Sequence, residues 1–287
     1  MGGYVATIGM FDGVHCGHQF VLRHVVEEAR RRGILSMAVT FDKQAPQTLT
    51  PLDEKLQLLS KTGLDHIEVL PFTPALKQMT ARQFMELLKE RYHVSVLLTG
   101  YDNRFGHNRT EGFDDYVRYG QELDIEVAQL PAEGTVSSSR VRQLLLEGCV
   151  VEASRCLGHP YTILGHVTHG EHIGTQLGFP TANIQPNSAY QLIPAAGAYA
   201  VRVRLEGCQE QKHGMMNIGC RPTFNGQQTT MEVNIFGLNE DLYDRQVSVS
   251  VVGRLRDEQR FDSSAALKEQ LQRDVLQAEQ LLKAEEQ

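Results

Sequence analysis

Short apolar segments alternate with amphipathic ones through the first half of the chain. The near-continuous apolar segments predict β-strands at Tyr4–Ile8, Ile34–Phe41, His66–Leu70, Val94–Thr99 and Ile125–Leu130. Segments with helical periodicity predict helices at Gly17–Arg32, Leu52–Lys61, Thr80–Tyr92, Phe113–Leu123 and Ser139–Glu147. This alternation is typical of a parallel, doubly wound sheet with helices on both faces.

The pattern changes near Gly158, after a short helix at Gly148–Leu157. Short strands separated by glycine-containing turns follow and predict a small antiparallel β-barrel, with strands at Tyr161–Val167, Gly197–Leu205, His213–Ile218, Thr230–Phe236 and Gln246–Leu255. Ser263–Glu286 then predicts an amphipathic helix that packs on the barrel through Leu267, Leu271, Val275 and Leu282. The predicted fold class is α/β plus β, with domains at residues 1–157 and 158–287.

Composition excludes several classes of protein. The 287 residues are 41% hydrophobic and 22% charged, as in ordinary globular domains. The net charge of −7 and the lack of a basic stripe argue against a nucleic-acid partner. No apolar run approaches the roughly 20 residues of a membrane helix. Five cysteines without paired spacing predict reduced thiols and a cytoplasmic location.

The stretch from Gly9 to His18 joins the first strand to the first helix. A strand, a glycine-rich turn and a helix start direct backbone N–H groups and a positive helix end towards an anion. His15 and His18 lie three residues apart there, and three interpretations of this spacing compete. The histidines belong to a helix cap, or they form a zinc site with Cys16, although no further ligands are nearby, or they act on a phosphate.

Two further loops follow predicted strands and should reach the same crevice at the carboxyl edge of the sheet. Gly100–Gly106 follows the fourth strand, and Ser137–Arg142 follows the fifth strand and opens a helix. The serines are expected as helix caps. Together with arginine, their hydroxyl and N–H groups also make a second anion site.

The barrel half contains a glycine-rich segment followed by polar residues. Gly170, Gly174 and Gly178 recur every four residues, which indicates either ordinary turns or a backbone-lined phosphate loop. Thr181 and Asn183 are one strand period apart, so both side-chain oxygens can face one Mg²⁺ ion. Further on, Glu232 lies on the face opposite to Met231, Val233 and Ile235, where a glutamate is usually solvated.

The first half resembles the nucleotidyltransferase superfamily through His-x-Gly-His after a strand. The longer string Ile8–His15 is similar to that of the bacterial bifunctional riboflavin kinase/FMN adenylyltransferases, also called FAD synthetases. The 100–106 and 137–142 loops also resemble segments of that family, with Arg140 at a variable position. The resemblance implies a Rossmann-like domain in which His15 and His18 are catalytic and in which ATP is bound by Gly9, Phe11, Asp12, Gly13, His15, His18, Asp102, Ser138, Ser139 and Arg142.

The second half resembles the riboflavin kinases. The segments that show this resemblance are Leu177–Asn183, Asn217–Thr223 and Arg254–Asp262. The resemblance implies that Glu232 is the general base on the flavin hydroxyl and that Thr181 and Asn183 hold Mg²⁺. It implies ATP or flavin binding by Gly170, Gly174, Gly178, Pro180, Thr181, Asn183, Gly219, Arg221 and Arg256. Arg256 and Phe261 equally fit ordinary packing.

One position departs from the family pattern. Gln44 stands where relatives commonly have a histidine, and glutamine neither carries charge nor shuttles a proton. The main hypothesis is an enzyme that converts riboflavin to FMN and FMN to FAD, with ATP and Mg²⁺. The alternatives are a riboflavin kinase with a weak or degenerate adenylyltransferase half, and a non-catalytic flavin-binding regulator. The expected partners are small molecules, without nucleic acid or membrane, and the expected state is a monomer or weak homo-oligomer.

Overall fold

The computed structural model describes residues 3–107, 110–132, 134–169, 178–223, 226–238 and 240–285. For residues 220–223 and 226–228 it describes the backbone alone. Residues 1–138 and 139–287 form two compact units. The predicted boundary between residues 157 and 158 stays a prediction. In the described residues no helix has both the length and the apolar character needed to cross a membrane.

The first unit is built on a five-stranded parallel sheet in the order β3-β2-β1-β4-β5. The strands are β1 (Tyr4–Ile8), β2 (Leu35–Phe41), β3 (His66–Leu70), β4 (Val94–Thr99) and β5 (Glu126–Gln129). The helices that accompany them are α1 (Cys16–Arg32), α2 (Leu52–Ser60), α3 (Pro74–Gln78), α4 (Ala81–Tyr92) and α5 (Phe113–Leu123). The predicted α/β class is confirmed. The short helix α3 was not predicted.

Both faces of the sheet are buried, which explains the apolar strands. Val5 packs with Val25 and Ala29 of α1. The neighbouring Ala6 packs on the other side, in the cluster that contains Phe84 of α4 and Tyr116 of α5. Strand order reverses between β1 and β4, so the carboxyl ends of these two strands flank the topological switch point where doubly wound sheets bind ligands.

The second unit is a closed antiparallel barrel in the order β10-β7-β6-β11-β8-β9. Two helices precede it, α6 (Ser138–Leu146) and α7 (Val150–Leu157). Its strands are β6 (Tyr161–Thr168), β7 (Ala182–Pro186), β8 (Gly197–Leu205), β9 (Gln211–Thr223), β10 (Gly226–Ile235) and β11 (Gln246–Asp257). The predicted barrel is confirmed, with β9, β10 and β11 longer or shifted relative to the predicted bounds.

The last helix, α8 (Ser264–Ala284), packs on the barrel as expected. Its Leu271, Val275 and Leu282 join a cluster with Ala200 and Met215 of the barrel wall. Of the four predicted apolar contacts, Leu267 lies outside this cluster. The helix therefore covers part of the outer wall.

A capping box fixes the start of α4. The Thr80 hydroxyl accepts a hydrogen bond from Gln83 N at 3.2 Å, and the Gln83 carboxamide accepts one from Thr80 N at 3.0 Å. We expect Thr80→Ala to lower the free energy of unfolding by about 1 kcal/mol, because one helix-end N–H loses its acceptor. Urea unfolding followed by circular dichroism measures this. Thr80→Ser keeps the hydroxyl and should keep the stability, and an equal loss in both variants would contradict the capping role.

Candidate active sites

The turn from Gly9 to His18, here called the histidine turn, begins where β1 ends at the switch point. Gly9 N donates to Val39 O at 3.0 Å, and a Cβ at Gly9 would meet the Phe11 ring at 2.9 Å. Phe11 and Val14 have φ angles of 47° and 40°. A positive φ is rare for a residue other than glycine and strained for a β-branched one, at a cost of order 1–3 kcal/mol per residue. The turn is thus held in a conformation that its own sequence disfavours.

Hydrogen bonds from the segment before α2 hold this strained backbone. One Asp12 carboxylate oxygen accepts from Leu49 N at 2.9 Å and from Thr50 N at 3.1 Å. Gly13 N donates to the Thr50 hydroxyl at 2.9 Å, and the Ser138 hydroxyl donates to Asp12 O at 3.0 Å. Asp12 therefore anchors the turn to the protein.

The two imidazoles lie against each other at the start of α1. His15 is the N-cap, and its Nδ1 accepts from His18 N at 3.4 Å. The rings stack with centroids 3.6 Å apart and an interplanar angle of 18°, and the Phe11 ring meets His18 edge-on at 5.3 Å. The cap interpretation is confirmed for His15, and the two rings lie face to face.

Burial keeps both histidines neutral. Burial lowers the pKa of His15 from 6.5 to about 4, against a smaller opposing effect of the Asp102 carboxylate. Burial also lowers the pKa of His18 well below its usual value, and nearby His15 and Lys55 lower it further. At neutral pH each ring is an uncharged imidazole, which donates one N–H and accepts at its other nitrogen. His18 Nδ1 is buried without a hydrogen-bond partner.

The loop after β4 closes the other side of the switch point. The Asn103 carboxamide donates a short hydrogen bond to Ile8 O, the last carbonyl of β1, and Asn103 N donates to Gly100 O at 3.1 Å. Its neighbour Asp102 is exposed and acts electrostatically on His15. The structure thus brings the 100–106 loop to the histidine turn, as expected from the sheet topology.

The predicted ATP residues of this half differ in their surroundings. Phe11 is 3% exposed and packs in a core cluster with Val14 and Leu22, so its ring contributes to the core. Gly13 has a φ of 82°, which favours glycine. Ser138 contacts the histidine turn, whereas Ser139 and Arg142 belong to the second unit, and their role stays a prediction.

Zinc is the remaining interpretation of the histidines. Among the residues described, no three His, Cys, Asp or Glu side chains group in a way that could hold a metal ion. Two stacked histidines and Cys16 do not supply the four ligands of a structural zinc site.

In the barrel, strand register places polar residues in one row along the outer wall. Glu232 of β10 pairs with Asn183 of β7 on one side and with Asn217 of β9 on the other. Neighbouring side chains in such a row are about 5 Å apart. The row continues through Ala198 of β8 to Arg256 of β11. Glu232 is therefore flanked by two carboxamides and is half-buried.

Polar side chains converge over Gly219, beside this row. A Cβ at Gly219 would meet Glu258 Oε1 at 3.1 Å, Asn217 Nδ2 at 3.4 Å and Thr230 Oγ1 at 3.5 Å. Carboxylate, carboxamide and hydroxyl groups thus converge over a residue without a side chain. Such a set suits a ligand with several hydroxyl groups.

A cavity of about 250 Å³ opens beside Thr181. Pro180, Leu238 and Tyr243 contribute its apolar lining, and Glu240 contributes a carboxylate. The Asn234 carboxamide donates to Pro180 O at 2.7 Å. Asn234 shares a strand face with Glu232 but is only 7% exposed, and this bond fixes the backbone that leads into Thr181.

Arg256 is held by α8. Its Nε donates to Asp274 Oδ1 at 3.2 Å and to Oδ2 at 3.0 Å, its Nη2 lies 2.9 Å from Oδ2, and the Asp274 side chain is 2% exposed. The Arg256 guanidinium also lies 5.6 Å from the centre of the Phe261 ring. The structure thus shows Arg256 in contact with Asp274 and Phe261, and a substrate role for Arg256 stays a prediction.

Some predicted kinase residues fall outside the description. Gly170 and Gly174 lie outside the described residues, as does the side chain of Arg221. Gly178 is described, with a φ of 85° that favours glycine at this turn.

Comparison with known proteins gives two family matches that follow one another along the chain. Residues 1–142 match the FAD synthetase family and residues 157–282 match the riboflavin kinase family. The bifunctional riboflavin kinase/FMN adenylyltransferase of Escherichia coli K12 is 39% identical, with 96% of this chain and 92% of the relative covered. The chain belongs to the bifunctional riboflavin kinase/FMN adenylyltransferase family.

Other relatives support this membership. The enzyme of the same name from Listeria monocytogenes is 33% identical, with 94% of this chain and 90% of the relative covered. The one from Bacillus subtilis is 30% identical, with 96% and 91% covered. A crystal structure described as a macrolide-efflux protein from Streptococcus pneumoniae aligns with a TM-score of 0.87 at 31% identity, with 95% of this chain and 92% of that chain covered. The fold of both units is therefore that of a solved structure.

Sequence reasoning missed several residues at the two sites of this family member. Lys55 is 4% exposed and donates from Nζ to Phe41 O at 2.8 Å and to Met10 O at 3.2 Å. Its spacing from Leu52 and Leu59 on one stripe of α2 is the signal that could have placed it inside. Asn217 and Asn103 belong to the motif segments Asn217–Thr223 and Gly100–Gly106. Their contacts depend on strand register and loop geometry, which no local sequence pattern shows.

Burial of His15 should make the stability of the first unit depend on pH. The pKa of His15 is about 4 in the folded chain and 6.5 ordinarily, so the unfolded chain binds the proton first as pH falls. We expect the stabilisation to be complete above pH 6.5 and to fall between pH 6.5 and 4, by up to about 1.4 kcal/mol per pH unit. Urea unfolding at a series of pH values measures the slope.

His15→Gln should reduce that slope, with His18 contributing the remainder, whereas His24→Gln, a change on α1, should leave the slope as in wild type. The same slope in wild type and His15→Gln would show that the titration of His15 does not affect folding.

Proposed function

We propose that the barrel phosphorylates riboflavin with ATP to give FMN, and that the parallel-sheet unit transfers the adenylyl group of a second ATP to FMN, giving FAD and pyrophosphate. The observation that carries the proposal is that one chain holds two separate polar sites, the histidine turn at a switch point and the Glu232 row on a barrel wall. Each site lies in the segment that matches the corresponding family.

In the kinase step, Glu232 is the general base. Its carboxylate takes the proton of the ribityl 5′-hydroxyl while that oxygen attacks the γ-phosphorus of ATP, and ADP leaves. Asn183 and Asn217 flank Glu232, and the polar groups that converge near Gly219 suit the ribityl hydroxyls. The apolar lining beside Thr181 suits the adenine ring of ATP. Positioning of the two reactants then supplies much of the rate.

The donors beside Glu232 fit a magnesium ion. Thr181 offers a hydroxyl and Asn183 a carboxamide oxygen, both half-buried and next to a carboxylate, and Mg²⁺ prefers such oxygen ligands. When bound with ATP, the ion supplies neutralisation of phosphate charge. Thr181 and Asn183 are the residues that would hold it.

In the adenylylation step, a phosphate oxygen of FMN attacks the α-phosphorus of ATP and pyrophosphate leaves, without a covalent enzyme intermediate. His15 and His18 stand side by side as neutral imidazoles at a helix start. Neutral donors at that position stabilise the negative charge that builds on the α-phosphate oxygens. Gly9, Asp12, Gly13, Asp102 and Ser138 complete the proposed ATP site in the first unit, and ATP binding by Ser139 and Arg142 stays a prediction.

The proposal also covers the cellular compartment, the partners and the oligomeric state of the enzyme. The cysteine side chains that the structure describes, Cys16, Cys149, Cys156 and Cys208, are outside disulfides, which supports a reducing cytoplasm. The net charge of −7 supports small-molecule substrates over nucleic acid. We propose a monomer or weak homo-oligomer that works without a membrane.

The proposal is tested by incubating the purified protein with riboflavin, ATP and Mg²⁺ and following FMN and FAD by chromatography. FMN should appear first and FAD later, with pyrophosphate, and chelation of Mg²⁺ should stop both. FMN without FAD would favour a kinase with a degenerate adenylyltransferase half, as Gln44 suggests. Flavin binding without ATP consumption would favour a regulator.

His18→Ala should lower FMN adenylylation by about 10²–10³-fold, because one preorganised donor is lost. Riboflavin phosphorylation by the same preparation should stay at the wild-type rate. His24→Ala on the same helix is the matched control. Loss of both products in a folded His18→Ala protein would contradict the division of labour between the two sites.

Glu232→Gln should lower riboflavin phosphorylation by about 10²–10⁴-fold, since the carboxamide cannot take the proton. Conversion of added FMN to FAD should be unchanged. The exposed carboxylate of Glu206, elsewhere on the barrel, gives the matched control Glu206→Gln. An unchanged rate of riboflavin phosphorylation would remove Glu232 from its role.

A further inference from the structure

Lys55 is a buried cation that neither proposed reaction uses. It lies on α2, is 4% exposed, and has a pKa that burial lowers, with Asp12 and Asp42 opposing that effect. Moving an ammonium group out of water is expensive unless it is hydrogen-bonded and near opposite charge. The cost of burying the Lys55 ammonium therefore indicates that this group has a structural or functional role.

The two acceptors of Lys55 are main-chain carbonyls at the carboxyl ends of adjacent strands. Phe41 is the last residue of β2, and Met10 follows the end of β1 by two residues. Nζ donates to Phe41 O at 2.8 Å and to Met10 O at 3.2 Å. Met10 O also accepts from the Thr40 hydroxyl at 3.3 Å. One ammonium group thus joins both strand ends where the histidine turn begins.

The turn needs such support. Phe11, the residue after Met10, has a φ of 47°, and Val14 has a φ of 40°. Strained residues persist only when their surroundings determine them from several sides. Asp12 and Gly13 are held from residues 49 and 50, and Lys55 holds the remaining side, at the entry to the turn.

We propose that Lys55 is a positioning residue for adenylyl transfer: by clamping the carbonyls of Met10 and Phe41 it fixes the turn that presents His15 and His18 to the reacting phosphate. The proposal rests on the adenylyltransferase function proposed above. Lys55 touches the backbone that carries the histidines, so its effect on the reaction passes through them.

Lys55 has a second effect on the same turn, through its charge. His18 is faced by His15 and by the Lys55 ammonium, and both lower the pKa of His18. Lys55 is itself faced by Asp12 and Asp42, while Asp102 acts on His15. Removal of the ammonium should therefore raise the pKa of His18, which a lysine that only filled space would not do.

The test uses Lys55→Met in the full-length protein, because methionine keeps an unbranched apolar stem without donors or charge. We expect kcat for FMN adenylylation to fall about 10²-fold, as for displaced catalytic groups, with riboflavin phosphorylation unchanged in the same preparation. Lys61→Met, at the exposed end of α2, should match wild type in both reactions. Wild-type protein that makes no FAD would refute the proposed function instead.

The histidine NMR titration provides the second readout, with the His18 resonance assigned by its loss in His18→Gln. In Lys55→Met the pKa of His18 should rise relative to wild type. Lys55→Gln, which is neutral but keeps a donor, should show the same rise with a smaller loss of kcat, and it carries the test if Lys55→Met fails to fold. An unchanged kcat in a folded Lys55→Met protein, or a loss of kcat with the pKa of His18 unmoved, would overturn the proposal.

Discussion

The strained backbone of Phe11 and Val14 is the constraint on which the first unit's site depends. Three residues with positive φ between β1 and α1, of which Phe11 and Val14 are not glycine, turn the chain sharply enough for His15 to cap the helix that it precedes. That conformation is unfavourable for isolated residues of these types. It exists because β2, Lys55 of α2, the segment before α2 and Ser138 all bond to the turn.

The same contacts that hold the turn also determine the electrostatics of the site. The turn packs on Leu59 of α2, burial keeps both imidazoles neutral, and the Lys55 ammonium acts electrostatically on His18. A neutral imidazole gives up no strong hydration shell when a phosphate arrives, so it donates its hydrogen bond at little desolvation cost. Geometry and charge at this site are therefore consequences of one packing arrangement.

The fold could be predicted from the sequence largely because parallel strands are apolar along their whole length. The strands β1 and β4 have the predicted bounds for that reason. The bounds of β3 were also predicted, although this strand contains His66 and Glu68. The helix α3 is only five residues long, too short to show a period, although Thr73 before Pro74 is a helix-start signal.

Side-chain roles were harder to predict than elements. Motif positions such as His15 and Glu232 could be selected because their residue types carry chemistry. The carbonyl contacts of Lys55 join α2 to the ends of β1 and β2, and no local pattern encodes a contact over 45 residues. The pairing of Asn217 with Glu232 likewise depends on the register of β9 against β10, which long-range pairing sets.

Register is the constraint on which the barrel site depends. Side chains alternate between the interior and the outer wall, so Met231 and Val233 fill the core while Glu232 between them joins the polar row. A slip of one residue between β10 and its neighbours would bury Glu232 and expose the core residues. The apolar interior therefore selects the register that aligns Glu232 with Asn183 and Asn217. In this barrel the packing that stabilises the fold also builds the site. The histidine turn, in contrast, depends on hydrogen bonds from neighbouring segments, which hold its backbone in a conformation that Phe11 and Val14 disfavour.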